Sequence, residues 1–177
     1  MTRVPASQLD GVVLLEPVMM QHDERGFFCV LDCPGGGMNS RYCIARSARG
    51  VIRGMHIRPG RGEAKLVRCS AGVAFDVIVD LREGSPTCGN WAGVYLRGDR
   101  QASIYIPPGC AHGYQALQDD TDMAYRIDAP FEPGADIVFA WNDRELGIDW
   151  PLPPGIMADR DRDAPPLREV VTGSVMR

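Results

Sequence analysis

"VAFDVIVDL", residues 73–81, alternates without a break: Val73, Phe75, Val77, Val79 and Leu81 fall on one parity, Ala74, Asp76, Ile78 and Asp80 on the other. Side chains of a β-strand point to opposite faces by turns, so period two over nine residues predicts a strand. Such alternation reads as a half-buried strand.

The same pattern repeats on either side. Strands are expected in "GVVLLEPV" (11–18), "GFFCVLD" (26–32), "RYCIARS" (41–47), "AKLVRCSAG" (64–72), "NWAGVYLRG" (90–98), "ASIYIPPG" (102–109), "HGYQALQ" (112–118), "DMAYRID" (122–128) and "DIVFAWND" (136–143), separated by turns such as Gly-Ser-Pro, Arg-Gly-Asp, Pro-Pro-Gly and Glu-Pro-Gly. Short strands roughly 8 to 12 residues apart, with no strand–helix alternation, predict an all-β antiparallel jelly roll. "PGGGMNS" at 34–40 reads as a loop, and "DRDRDAPPLREVV" at 159–171 as a short helical C-terminal segment.

A chain of 177 residues fits one domain spanning 1–177, and 45% hydrophobic with 24% charged residues is ordinary for a soluble protein. The net charge of -4 offers no general attraction to nucleic acid or an anionic membrane, so an anionic ligand needs a local group of arginines. No apolar run approaches a membrane span, and the opening "MTRVPASQLDGVVLLEPV" is too briefly apolar for a signal peptide, so a cytoplasmic location is expected. Cys29, Cys33, Cys43, Cys69, Cys88 and Cys110 lack C-x-x-C spacing and are expected to be small buried hydrophobes.

Among 19 basic residues Lys65 is the only lysine, and the three histidines are His22, His56 and His112. A solvent-facing cation could be either basic type, so a lone lysine asks for a chemical reason. Gly54-x-His56 with Glu63, and "PPGCAHG" at 107–113 with His112, outline a cupin barrel, in which such segments face each other across the mouth. A metal-binding cupin needs His-x-His, and here the second position is Arg58, whose guanidinium has no lone pair to give. His56, Glu63 and His112 could still form a two-His-one-carboxylate set, but Arg53, Arg58 and Lys65 would repel a cation there. No metal and no cofactor are expected.

"DERGFF" (23–28), "GVIRGMH" (50–56), "AKLVRCSAGVAFDVIVDLREGSPT" (64–87), "IPPGCAHGY" (106–114), "AYR" (124–126), "WNDRELGIDWP" (141–151) and the "DRDRDAP" tail resemble the dTDP-4-dehydrorhamnose 3,5-epimerases, in order and over nearly the whole chain. The resemblance implies a metal-free isomerase that inverts C3, C5 or both in a nucleotide-linked 4-keto-6-deoxyhexose through an enolate, and a homodimer. It implies His56 as base, Asp161 as its dyad partner with Asp159 and Asp163 as neighbouring alternatives, and Tyr125 as proton donor on the opposite ring face. Lys65 then meets the enolate oxygen: a compact ammonium suits that point charge, whereas arginine's planar fork suits carboxylates and phosphates. Arg25, Phe27, Arg53, Arg58, His112 and Phe131 are implied as substrate-binding, with Arg25 reaching a neighbouring subunit's pocket and Phe131 stacking on a base.

The chain departs from the family around the nucleotide. "RYCIA" replaces a Gln-Asp-Asn-His-Ser run, Arg58 replaces a glutamine, "DAPF" replaces Asn-Tyr-Tyr, and "PGGGMNS" stands where a helix is usual. Those differences leave dTDP, CDP, GDP and UDP sugars open as substrates. A metal-dependent cupin oxygenase or isomerase and a non-catalytic nucleotide-sugar-binding relative are the alternative readings.

Overall fold

The computed structural model describes residues 5–15, 19–23, 26–30, 41–129, 132 and 134–171. Its strands are β1 (Val13–Leu15), β2 (Met19–Asp23), β3 (Gly26–Val30), β4 (Arg41–Ser47), β5 (Ile52–Ile57), β6 (Lys65–Ala71), β7 (Val73–Asp80), β8 (Trp91–Arg97), β9 (Ser103–Ile106), β10 (Cys110–Ala116), β11 (Thr121–Ile127) and β12 (Ile137–Val138). Two short helices follow, α1 (Asp159–Arg162) and α2 (Leu167–Val171). Strands β1-β9-β6-β11-β4 make one antiparallel sheet, β12-β5-β10-β7-β8 a second, and β2 and β3 a separate pair. The expected jelly roll with a short helical end is therefore the fold.

The two sheets close on a shared interior. Val67 and Cys69 of β6, Ile104 and Ile106 of β9 and Met123 of β11 pack against Ala74 and Ile78 of β7, Leu96 of β8 and Tyr114 of β10. The chain crosses between sheets at Gly72, the one residue between β6 and β7. Its φ is +75°, and a Cβ there would lie 2.6 Å from Thr121 Oγ1, so glycine is required twice over.

The strand read as half-buried is covered on both faces: every residue from Ala74 to Asp80 is buried. Phe75, Val77, Val79 and Leu81 look outward from the barrel, into a second apolar layer with Met55, Ile57, Trp91, Phe139, Leu146 and Leu167. The parity carrying Asp76 and Asp80 faces the barrel interior instead of water. Chain returning from the C-terminal side supplies the cover, and strand periodicity carries no information about it.

Other expectations shift in detail. The 136–143 strand shrinks to β12: Phe139 still exchanges hydrogen bonds with Met55, but Ala140 N–H turns away to the Pro165 carbonyl (2.8 Å). Strand β5, which carries His56, pairs with β10 although Gly54 and Arg53 break its alternation. Cys69 and Cys110 are buried as expected, Cys43 is half-buried and Cys88 exposed, and these four thiols are free. The loop expected at 34–40, Cys33 and the side chain of Cys29 lie outside the described residues. No helix among the described residues is long and apolar enough to cross a membrane.

Candidate active site

A cavity of about 500 Å³ opens between the sheets, and His56, Lys65, His112, Tyr125, Arg53 and Asp161 all contribute to its wall. Sequence-distant side chains converge because of one irregularity. Gly54 has φ +139°, and a Cβ on it would stand 2.6 Å from the Cα of Gly113; a Cβ on Gly113 would stand 2.6 Å from Met55 Sδ. The two glycines let β5 and β10 touch backbone to backbone, and the β10–β5 register shifts there between His112 and Tyr114. The shift leaves His112 directly opposite His56.

Each histidine is held by an aspartate. His56 Nε2 lies 2.7 Å from Asp161 Oδ1, while Asp161 Oδ2 accepts the Gly54 N–H at 3.3 Å. Of the three tail aspartates, only Asp161 is buried; Asp159 and Asp163 are exposed. Burial alone would raise the Asp161 carboxyl, but the His56 bond and charge, the Gly54 N–H and Arg160 outweigh it and hold it below its ordinary value. A carboxylate that stays ionised fixes the imidazole tautomer and stabilises an imidazolium. His112 Nε2 lies 2.8 Å from Asp76 Oδ1, with Asp76 fully buried on β7. Sequence reasoning missed Asp76, although an aspartate inside "AFDVIV" was a visible anomaly.

Asp161 reaches the cavity because the C-terminal chain is strapped down. Gln115 donates to the Leu152 carbonyl (2.9 Å) and accepts from Leu152 N–H (3.0 Å), and Gly155 N–H bonds the Gly50 carbonyl at 2.8 Å. Further back, buried Asp143 accepts the N–H groups of Glu145, Leu146 and Leu167. The "WNDRELGIDWP" segment thus works as a clamp that delivers α1.

Across the cavity, the Tyr125 ring meets the His112 ring edge to face, centroids 6.0 Å apart. Its phenol hydrogen-bonds Tyr114, whose own hydroxyl lies 2.8 Å from Ser47 Oγ. Burial, then the neighbouring Tyr114 and Asp76 charges, push the Tyr125 phenol well above its ordinary range, so it carries its proton at neutral pH. Arg53 donates to Ser47 Oγ (3.2 Å) and to the Arg46 carbonyl (3.1 Å), with Arg46 and Arg160 also on the cavity wall. Lys65 opens β6 with its ammonium 3.3 Å from Glu63 Oε1.

Arg58 stands apart from the rest. Its guanidinium donates to Asp136 (2.8 Å) and Glu132 (3.2 Å) and approaches Glu63 (3.6 Å), and it does not belong to the cavity wall. Arg25 and Phe131 lie outside the described residues; of Phe27 only the backbone is described, opposite His22 on β2. Among the described residues no group of three or more His, Cys, Asp or Glu side chains is disposed to hold a metal ion.

A His–Asp pair, an ammonium and a protonated phenol around one cavity are groups that can move protons and meet negative charge, and the sequence profile of the dTDP-4-dehydrorhamnose 3,5-epimerases matches residues 6–169. The chain belongs to that family. It is 38% identical over 173 residues to the dTDP-4-dehydrorhamnose 3,5-epimerase of Methanothermobacter thermautotrophicus, covering 92% of this chain and 93% of that one. Among solved structures it is similar to the rmlC epimerase of Mycobacterium tuberculosis, with TM-score 0.88 and 33% identity over 96% of this chain and 91% of that one. It also matches a Legionella pneumophila epimerase solved in complex with dTDP-4-keto-L-rhamnose, with TM-score 0.85 and 34% identity over 94% and 93%. This family member is an isomerase that works on carbohydrate.

Proposed function

We propose that the chain inverts C3 and C5 of a dTDP-linked 4-keto-6-deoxyhexose, in deoxysugar biosynthesis, with residues 1–177 acting as one catalytic unit. The observation that carries this reading is the set of His56–Asp161, Lys65 and Tyr125 around a single cavity. The relative solved with dTDP-4-keto-L-rhamnose supports the choice of nucleotide and sugar.

In the proposed mechanism, the His56 ring nitrogen not bonded to Asp161 takes the proton from the carbon beside the C4 ketone. Electrons from the broken C–H bond move to the ketone oxygen, and the Lys65 ammonium meets the enolate charge there. Tyr125 then gives its phenolic proton to the opposite face of the same carbon. The tyrosinate regains a proton from solvent and the imidazolium loses one to it, which closes the cycle. His112, braced by Asp76, packs against Tyr125 and aligns it; Arg53, beside Arg46 and Arg160, takes the diphosphate. Arg25, Phe27 and Phe131 keep the substrate-binding roles that the resemblance implies, Arg25 from the second subunit of a homodimer.

The test is turnover in heavy water of 4-keto-6-deoxyhexoses linked to dTDP, CDP, GDP and UDP, followed by proton NMR. Solvent deuterium at both C3 and C5 of the dTDP sugar is the expected result. Deuterium at C3 alone corrects the regiochemistry, faster turnover of another nucleotide corrects the nucleotide, and no exchange with any of them refutes catalysis.

A further inference from the structure

Glu63 sits immediately behind Lys65, and the surroundings of its carboxylate are built. In extended chain, residues two apart point the same way, so Glu63 and Lys65 project together toward the interior. Ala64 between them is pinned in both directions: its N–H bonds Asp128 Oδ1 at 2.7 Å, and Asp128 N–H bonds its carbonyl at 3.2 Å. The side chains of Glu63 and Lys65 are only 2% and 9% exposed, so water contributes little to holding the ammonium. Each carboxylate oxygen has its own cation: Oε1 is 3.3 Å from Lys65 Nζ and Oε2 is 3.6 Å from Arg58 Nη2. Arg58 is anchored in turn by Asp136 and Glu132 on the far side.

We propose that Glu63, braced by Arg58, is a positioning residue that holds the Lys65 ammonium where the enolate oxygen forms. The inference rests on the role given to Lys65 above. A lysine stem is flexible and its ammonium rotates freely, so a point charge useful in the transition state must be aimed by something else. A buried carboxylate with a cation beside each oxygen is oriented by both, and among the described residues Glu63 is the carboxylate of the cavity wall within ion-pair distance of both Lys65 and Arg58. This gives Arg58 a place in the site without substrate contact.

The test is a double-mutant cycle of Glu63→Gln and Lys65→Met, assayed with the dTDP-linked 4-keto sugar and, for the slow variants, by long heavy-water incubation. In the wild-type background Glu63→Gln is expected to lower kcat about tenfold or more, with KM within about twofold and an unchanged circular dichroism spectrum. On Lys65→Met the same change is expected to cost less than about twofold, because a residue acting through Lys65 has nothing left to aim. Wild-type kcat in Glu63→Gln, an effect confined to KM, or the same fold loss in both backgrounds would each overturn the proposal. Should Glu63→Gln not fold, Arg58→Gln with Glu63→Gln removes both partners and is judged by the same criteria. Full activity in Lys65→Met, or no exchange by wild type, refutes the reading of the site itself and this inference with it.

Discussion

Lys65 is where residue type matters most. Arginine would keep the charge, but its planar fork would spread donors away from a single oxygen and would favour pairing with the Glu63 carboxylate, 3.3 Å from the present ammonium. Lys65→Arg is expected to fold with wild-type circular dichroism and to lose on the order of a hundredfold in kcat, the size of effect typical for one oxyanion donor. Wild-type turnover would remove Lys65 from the mechanism. The proposed acid and base are separable by exchange. His56→Ala is expected to abolish deuterium incorporation at the sugar carbons. Tyr125→Phe is expected to permit incorporation without net inversion, since the proton is still taken from one face and only returned there. Unchanged inversion in Tyr125→Phe would assign the donor elsewhere.

At the scale of elements, the site depends on how closely β5 and β10 approach. Gly54→Ala puts a methyl 2.6 Å from the Gly113 Cα at φ +139°, where neither backbone can yield cheaply. A loss of about 3 kcal/mol in urea unfolding is expected, with a disproportionate loss of kcat because His56 is two residues away. The strands themselves were largely legible from alternation, as β6 and β7 show. What alternation could not give was the second apolar layer, since Phe139, Leu146 and Leu167 come from irregular chain and a short helix far along the sequence. That layer covers the Phe75, Val77 and Val79 parity of β7, so the strand is buried on both faces, Asp76 and Asp80 included. Similarly, Lys65 stood out by being the only lysine and His56, Asp161 and Tyr125 through family motifs, whereas Asp76 and Tyr114 act through partners, His112 and Ser47, that only the β10–β7 register and the closure of the barrel bring near.

For the molecule as a whole, Asp80 ties the ends of the barrel wall together. Fully buried, it accepts hydrogen bonds from Arg82 N–H and guanidinium, from Ser85 Oγ and from Thr87 Oγ1, the last two at 2.6 Å. Arg82 also bonds the Asp10 carbonyl, and Thr87 Oγ1 accepts the Asp10 N–H, so the N-terminal chain is moored to the turn after β7 through this one carboxylate. Burial pushes its pKa up, but the bonds from Arg82, Ser85 and Thr87 outweigh burial and lower it from 3.8 to about 2. A depressed folded-state value means that the unfolded chain binds the proton first as pH falls. The contribution is therefore complete above about pH 4, fades through the interval down to about pH 2, and amounts to about 2 kcal/mol. Asp161 is lowered as well and adds to the same acid loss, so the wild-type curve alone does not isolate Asp80. The difference between wild type and Asp80→Asn does: measured by urea unfolding across pH 2–7, it is expected to be about 2 kcal/mol at pH 5–7 and to shrink toward zero near pH 2. Parallel stability curves for the two proteins would show that the mooring is indifferent to the charge on Asp80, and would leave the hydroxyl and guanidinium contacts as neutral packing around a side chain of the right shape.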